Sequence, residues 1–216
     1  MKHASRFIVL AVTKVGDKSL VLHTLSDGWG RRSFITGAGG KAPMALFQPM
    51  SIIDAEVTEN SKSDLWRLRE ICAAAPLNGI RNDMRKNTMT LFLSEVLLRT
   101  LHDGANEPGL FDWCSRSILT LDAMESDFSN FHLRFLLEFA GALGFSPSLQ
   151  DLAPFAGEQL GAVKQLLTLS AAESMLVPMN GEQRNAVAAL LLDYLSFHID
   201  SPLQIRSLGV LREVFK

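Results

Sequence analysis

The chain has 216 residues, 47% hydrophobic and 20% charged, with a net charge of −2. This composition excludes wholesale disorder and collagen-like repeats, and the length admits one large domain or two small ones. The longest apolar runs, 6–12 and 186–192, fall far short of the roughly 20 residues that cross a bilayer. No small-residue cleavage site follows the N-terminal stretch, and the two cysteines, Cys72 and Cys114, cannot form a disulfide framework. The sequence therefore predicts a cytoplasmic protein with reduced thiols.

In chain order, residues 6–13 form a continuous apolar run closed by Gly16 and Asp17, and 19–25 form a second, together a candidate hairpin. A turn at 26–30 holds Gly28 and Gly30, both able to take positive φ, and 31–36 reads as a third strand. Residues 37–43 are too poor in side chains to pack and read as a mobile loop. Over 51–57, Ile53, Ala55 and Val57 alternate with Asp54 and Glu56, the pattern of a half-buried strand, and 65–71 supplies a fifth. Five short strands with no long helix between them favour a small antiparallel barrel over a parallel α/β sheet.

Beyond Gly79 the period becomes helical. Helices are predicted over 82–102, 109–124, 131–143, 185–199 and 204–215, the third apolar nearly all round. The fold class is α+β: residues 1–80 a barrel, 81–216 all-helical. Charge divides along the same line. Through Lys86 there are thirteen basic against eight acidic residues, a balance of +5, and the remainder carries eight against fifteen, a balance of −7. A basic first part suits a polyanion, and ordinary solvated surface charge is the competing reading.

Basic pairs recur at Arg31 and Arg32, at Arg67 and Arg69, and at Arg81 with Arg85 and Lys86, interleaved with Trp29, Phe34 and Trp66. Alternate strand residues share a face, so Arg67 and Arg69 project together, and nearby aromatics can stack on unpaired bases. In the other reading Phe34 lies in the barrel core and Trp29 packs the turn. Lys41 follows a glycine-rich stretch, but Ile35 and Ala42 occupy positions where a phosphate-binding P-loop needs glycine and Ser or Thr. With Arg31 and Arg32 it can still contact a nucleic-acid backbone. Arg134 and Glu138 stand at i, i+4, which is either a salt bridge on a core helix or a cation at the lip of a groove for an acidic, hydrophobic peptide. The scattered histidines, the lone cysteines and the absence of a GxSxG elbow give no metal site, cofactor site or nucleophile, so no enzyme is predicted.

The stretches "GDKSLVLHTLSDGWGRRSFITGAGG", "LRFLLEFAGALGFSP" and "LLDYLSFHIDSPLQIRSLGVLREVF", in this order and spacing over nearly the whole chain, resemble the RecO family of bacterial recombination mediators. The resemblance implies an N-terminal OB-fold barrel and a helical C-terminal domain. It further implies binding of single- and double-stranded DNA, strand annealing, contact with the acidic tail of single-strand-binding protein, and, with RecR, help in loading RecA. A nucleoid-associated place in the cytoplasm goes with that role. On this chain the barrel cations would be Lys14, Lys18, Arg31, Arg32 and Lys41, and the tail-binding arginine Arg134. Many members carry a four-cysteine zinc module after the "LGF" segment; residues 147–155 contain no cysteine, so no zinc module is expected. The alternative is a protein-only adaptor whose barrel docks peptide tails and never touches DNA.

Overall fold

The computed structural model describes residues 2–38, 43–60 and 63–216. Strands β1 (Lys2–Val15), β2 (Ser19–Ser26), β3 (Gly30–Gly37), β4 (Ile52–Thr58) and β5 (Trp66–Ala73) close a barrel in the order β1-β2-β3-β5-β4. The strands pair antiparallel except β3 with β5, which run parallel and complete the five-stranded OB-type barrel. The predicted loop over 37–43 lies largely outside the described residues, at 39–42.

β1 is longer than predicted because it serves two partners. Its first half pairs with β4, from Lys2 opposite Thr58 to Ile8 opposite Ile52, and its second half pairs with β2. A register irregularity between Val9 and Ala11 gives the bend that lets one strand turn this corner. The continuous run Phe7-Ile8-Val9-Leu10 follows from burial on both sides. Phe7 and Val9 point into the barrel with Leu22, Phe34, Ile53, Val57 and Leu68, whereas Ile8 and Leu10 join Leu25 and Ile52 in the core of the helical part. Each of these four β1 side chains is at most 2% exposed.

The helices are α1 (Asn78–Asn82), α2 (Met84–Thr100), α3 (Leu110–Ala123), α4 (Phe131–Ala142), α5 (Leu149–Ala156), α6 (Leu160–Thr168), α7 (Ala171–Met175), α8 (Gly181–His198) and α9 (Ser207–Val214). The predicted helix over 82–102 is α2, two residues shorter at each end: Asp83 leaves helical geometry and caps it, accepting from the backbone N–H groups of Arg85 and Lys86 at 2.8 and 3.3 Å. α4 is central, as its apolar excess predicts, with Leu133, Phe135, Leu136 and Phe139 all at or below 2% exposure. α5, α6 and α7 were not predicted; they fill the stretch between α4 and α8. α9 folds back on α2, where Glu95 caps it by accepting from Arg206 N, Ser207 N and Ser207 Oγ at 3.2, 2.9 and 2.6 Å.

The barrel is joined to the helices by more than apolar contact. Gly30 has φ +61°, and a Cβ there would lie 2.1 Å from the carbonyl oxygen of Ala105, so the β2–β3 turn sits against the α2–α3 loop where only glycine fits. Gly28, the other glycine of that turn, does not take positive φ.

Candidate functional site

The barrel separates the predicted cations into exposed and engaged groups. β5 carries Arg67 and Arg69 on either side of buried Leu68, both exposed on one face as strand alternation requires. They line a groove of about 410 Å³ with Ile35, Thr58 and Leu65. The register sets Arg67 beside Ile35 and Ile35 beside Val21, two residues from the start of β2. Lys14 and Lys18 are exposed at the adjoining β1–β2 hairpin tip. None of these four makes an ion pair among the described residues.

Consecutive strand residues point to opposite faces, so Arg31 and Arg32 do not act as a pair. The Arg32 guanidinium lies 3.6 Å from the centroid of Trp66 and donates to the Asp64 carbonyl at 3.1 Å. Trp66 stands edge-on to Trp29 at 6.0 Å, and Trp29 stacks on Phe7 at 6.2 Å. Phe34 is fully buried. Trp29 and Phe34 are thus packing residues of the barrel and its turn, and Trp66 is covered by Arg32 on one face.

Three of the basic positions, Arg31, Arg81 and Lys86, make contacts within the fold. Arg31 is 7% exposed and donates to Asp103 at 3.0 Å and to Ser33 at 3.3 Å. Its backbone N–H donates to Ala105 O and its carbonyl accepts from Gly104 N, both at 2.7 Å. His23, 2.9 Å from Ser33 and 3.1 Å from Thr13, completes this polar row across β1, β2 and β3. Desolvation, then the Arg31 charge, push its pKa below the ordinary histidine value, against a smaller opposite pull from Asp103. Arg81 donates to Gln48 Oε1 and, at 2.7 Å, to Ser51 Oγ, tying α1 to the segment before β4. Lys86 is 4% exposed and caps α3 by donating to the carbonyls of Asp122, at 3.0 Å, and Met124. Arg85 is exposed, 4.8 Å from the Phe128 ring, on the helical part. Lys41 lies outside the described residues.

A second site lies among the helices. A cavity of about 530 Å³ opens between α3, α4 and α7, walled by Trp113, Met124, Phe131, Phe135 and Met175 and edged by Arg116 and Arg134. Both sequence readings of Arg134 meet here. Its Nε donates to Glu138 Oε1 at 2.6 Å, the i, i+4 pair, and its Nη1 donates to the carbonyls of Leu166 and Leu169 at 3.2 and 3.3 Å at the end of α6. Glu138 Oε2 accepts from Trp113 Nε1 at 3.1 Å. Arg116 is exposed and has no ion pair among the described residues. Sequence reasoning missed Arg116, although Trp113, Arg116, Ser117, Thr120 and Met124 recur at helical spacing on one face of α3.

Cys114 is buried, which pushes its thiol pKa up, and His132 is 1% exposed with its pKa lowered to about 3 by burial and by the Arg184 charge. Among the described residues no three His, Cys, Asp or Glu side chains are placed to hold a metal ion, and no helix is long and apolar enough to cross a membrane.

Residues 81–153 match the family described as Recombination protein O C terminal. Over 235 aligned residues the chain is 31% identical to the DNA repair protein RecO of Bacteroides fragilis, covering 96% of this chain and 97% of that one. It is 28% identical to the protein of the same name from Flavobacterium psychrophilum over the full length of both. With that identity sustained from barrel to last helix, the chain belongs to the RecO family of DNA repair proteins.

Proposed function

We propose that this chain is a non-enzymatic mediator of recombinational DNA repair, in which residues 1–80 bind DNA and residues 81–216 dock protein partners. The observation that carries the DNA reading is the set of exposed cations Lys14, Lys18, Arg67 and Arg69 at adjoining parts of one barrel. Arg32 on Trp66 adds a polarised aromatic beside them on β5. Such a surface attracts the phosphates of single- or double-stranded DNA by releasing counterions, without reading sequence. Annealing then requires only that two strands be held together, with no bond made or broken.

The cavity between α3, α4 and α7 fits an acidic peptide with an apolar end: aromatic walls receive the apolar side chain and two arginines face the carboxylates. In this reading its ligand is the tail of single-strand-binding protein, and with RecR the chain helps to place RecA on coated strands. Such work belongs in the cytoplasm, at the nucleoid.

Salt-dependent binding tests the DNA half. Four phosphate contacts on a single strand give a slope of log K against log salt of about −3, at about 0.7 per contact. Replacing Arg67 and Arg69 by Gln is expected to flatten that slope by about 1.4 in fluorescence anisotropy with a labelled oligonucleotide. An unchanged slope would remove β5 from the interface. Absence of binding at low salt would leave a protein-only adaptor built around the helical cavity.

A further inference from the structure

We propose that Glu138 is an internal competitor for the carboxylate of the peptide that the α3–α4–α7 cavity receives, and so restricts the cavity to ligands carrying both an acidic group and an apolar anchor. The inference rests on the peptide-docking reading above. An arginine grips a carboxylate best with two parallel N–H donors from one edge of the guanidinium. One edge of Arg134 is Nε with Nη2, and the other is Nη1 with Nη2. Glu138 occupies Nε at 2.6 Å, and the carbonyls of Leu166 and Leu169 occupy Nη1. Only Nη2 has no partner among the described residues, so an incoming carboxylate finds a single donor unless Glu138 withdraws.

Glu138 is placed to hold that position and yet to leave it. Its second oxygen is fixed by the Trp113 indole N–H at 3.1 Å, and its side chain is 34% exposed, so it can turn out to solvent. While it stays, its charge repels an acidic ligand at the cavity edge. A ligand of acidic residues alone gains too little to displace it. A ligand whose apolar side chain also fills the 530 Å³ space between Trp113, Phe131 and Phe135 gains burial as well. The negative charge already present thus raises the requirement for the anchor, which is selection by a repulsive element as much as by attraction.

The competing role for Glu138 is a brace that orients Arg134, and the two roles differ in sign. The test titrates a fluorescein-labelled acidic peptide ending in Phe against wild type and Glu138→Gln, with thermal melts of both. Glutamine keeps the size and one acceptor oxygen but removes the charge. As a competitor, Glu138→Gln binds the peptide about three- to fivefold tighter, as expected for a partly exposed charge. The gain disappears for a peptide whose carboxylates are amidated. Should Gln unfold the chain, Glu138→Ala gives the same sign by the same route. Equal or weaker binding by the variant, with wild type still binding, would show a brace and overturn the inference while the docking reading stands. If neither protein binds at millimolar peptide, the docking reading fails and this inference fails with it.

Discussion

Glu95 gives the sharpest test of how the last helix is held. Its carboxylate accepts three hydrogen bonds at the N-terminus of α9, two through Oε2 from Ser207 and one through Oε1 from Arg206 N. The side chain is 16% exposed and also lies 3.9 Å from Arg99. Glu95→Gln keeps one acceptor oxygen, replaces the other by an N–H₂ that clashes with the donors, and removes a charge that the helix terminus favours. Loss of a cap costs about 1 kcal/mol and loss of the charge up to about 1 more, so the variant is expected to be about 1–2 kcal/mol less stable at pH 7. For a chain of this size that lowers Tm by about 3–6 °C. Desolvation raises the Glu95 pKa, but the bonds from Ser207 and Arg206 outweigh it and hold the carboxyl below its ordinary value. A depressed folded-state pKa contributes stability above the unfolded value of about 4.3 and loses it as pH falls through the folded value. The gap between wild type and variant in thermal melts followed by circular dichroism must therefore narrow from pH 7 toward pH 3. Equal stability at pH 7 would refute the cap, and a gap of constant size would refute the part assigned to charge.

Two further substitutions separate structural cations from binding ones. Lys86→Met leaves the Asp122 and Met124 carbonyls at the end of α3 without their ammonium donor, and is expected to cost about 2 kcal/mol in urea unfolding; an unchanged midpoint would show that water serves those carbonyls as well. Arg31→Met keeps the buried stem and removes the bonds to Asp103 and Ser33, so it is expected to lower stability by about 1 kcal/mol while leaving the salt slope of DNA binding unmoved. A flattened slope would return Arg31 to the interface.

The barrel was legible because its strands carry periodic burial. The alternation of Ile53, Ala55 and Val57 marks one buried face, and the unbroken Phe7-to-Leu10 run marks a strand covered on both, the inside by the barrel and the outside by the helices. The long helices were legible for the same reason at a different period. α5 and α7 were missed because elements of eight and five residues offer too few turns for periodicity to register. Their ends did carry a signal. Ser148 with Asp151 and Ser170 with Glu173 are capping boxes, three residues apart, with both reciprocal bonds formed. The site residues divide by sequence distance. The Arg134–Glu138 contact is local and could be read from spacing, whereas Arg31 meets an aspartate 72 residues away and Lys86 meets carbonyls 36 and 38 residues away. No local pattern distinguishes a cation with such a partner from one without.

This bears on what a charge count says about a binding surface. The excess of +5 through Lys86 treats every cation as available. In the folded chain Arg6 pairs with Asp54 at 2.8 Å, Arg31 with Asp103, Arg81 donates to Gln48 and Ser51, and Lys86 caps α3. All four contacts span at least 30 residues of sequence, so these cations, which made the first part look like one polyanion surface, instead hold strand to strand, barrel to helices and helix to helix. Among the described residues, what remains for a ligand on the barrel is a narrower set, Lys14, Lys18, Arg67 and Arg69 with Arg32 on Trp66, at the hairpin tip and on β3 and β5, while Arg85 is exposed on the helical part. Affinity for DNA should accordingly follow the number of cations in that set rather than the net charge, and a slope near −3 is the value that four of them sustain. The barrel staples carry a second consequence. Because Arg31, Arg81 and the Gly30–Ala105 contact fix the barrel against the helices, the cation groove and the α3–α4–α7 cavity keep a set distance, and coupling between their ligands must arise from contacts the ligands make in only one of two states. Displacement of Glu138 is one such local change, and it lies entirely within the helical part.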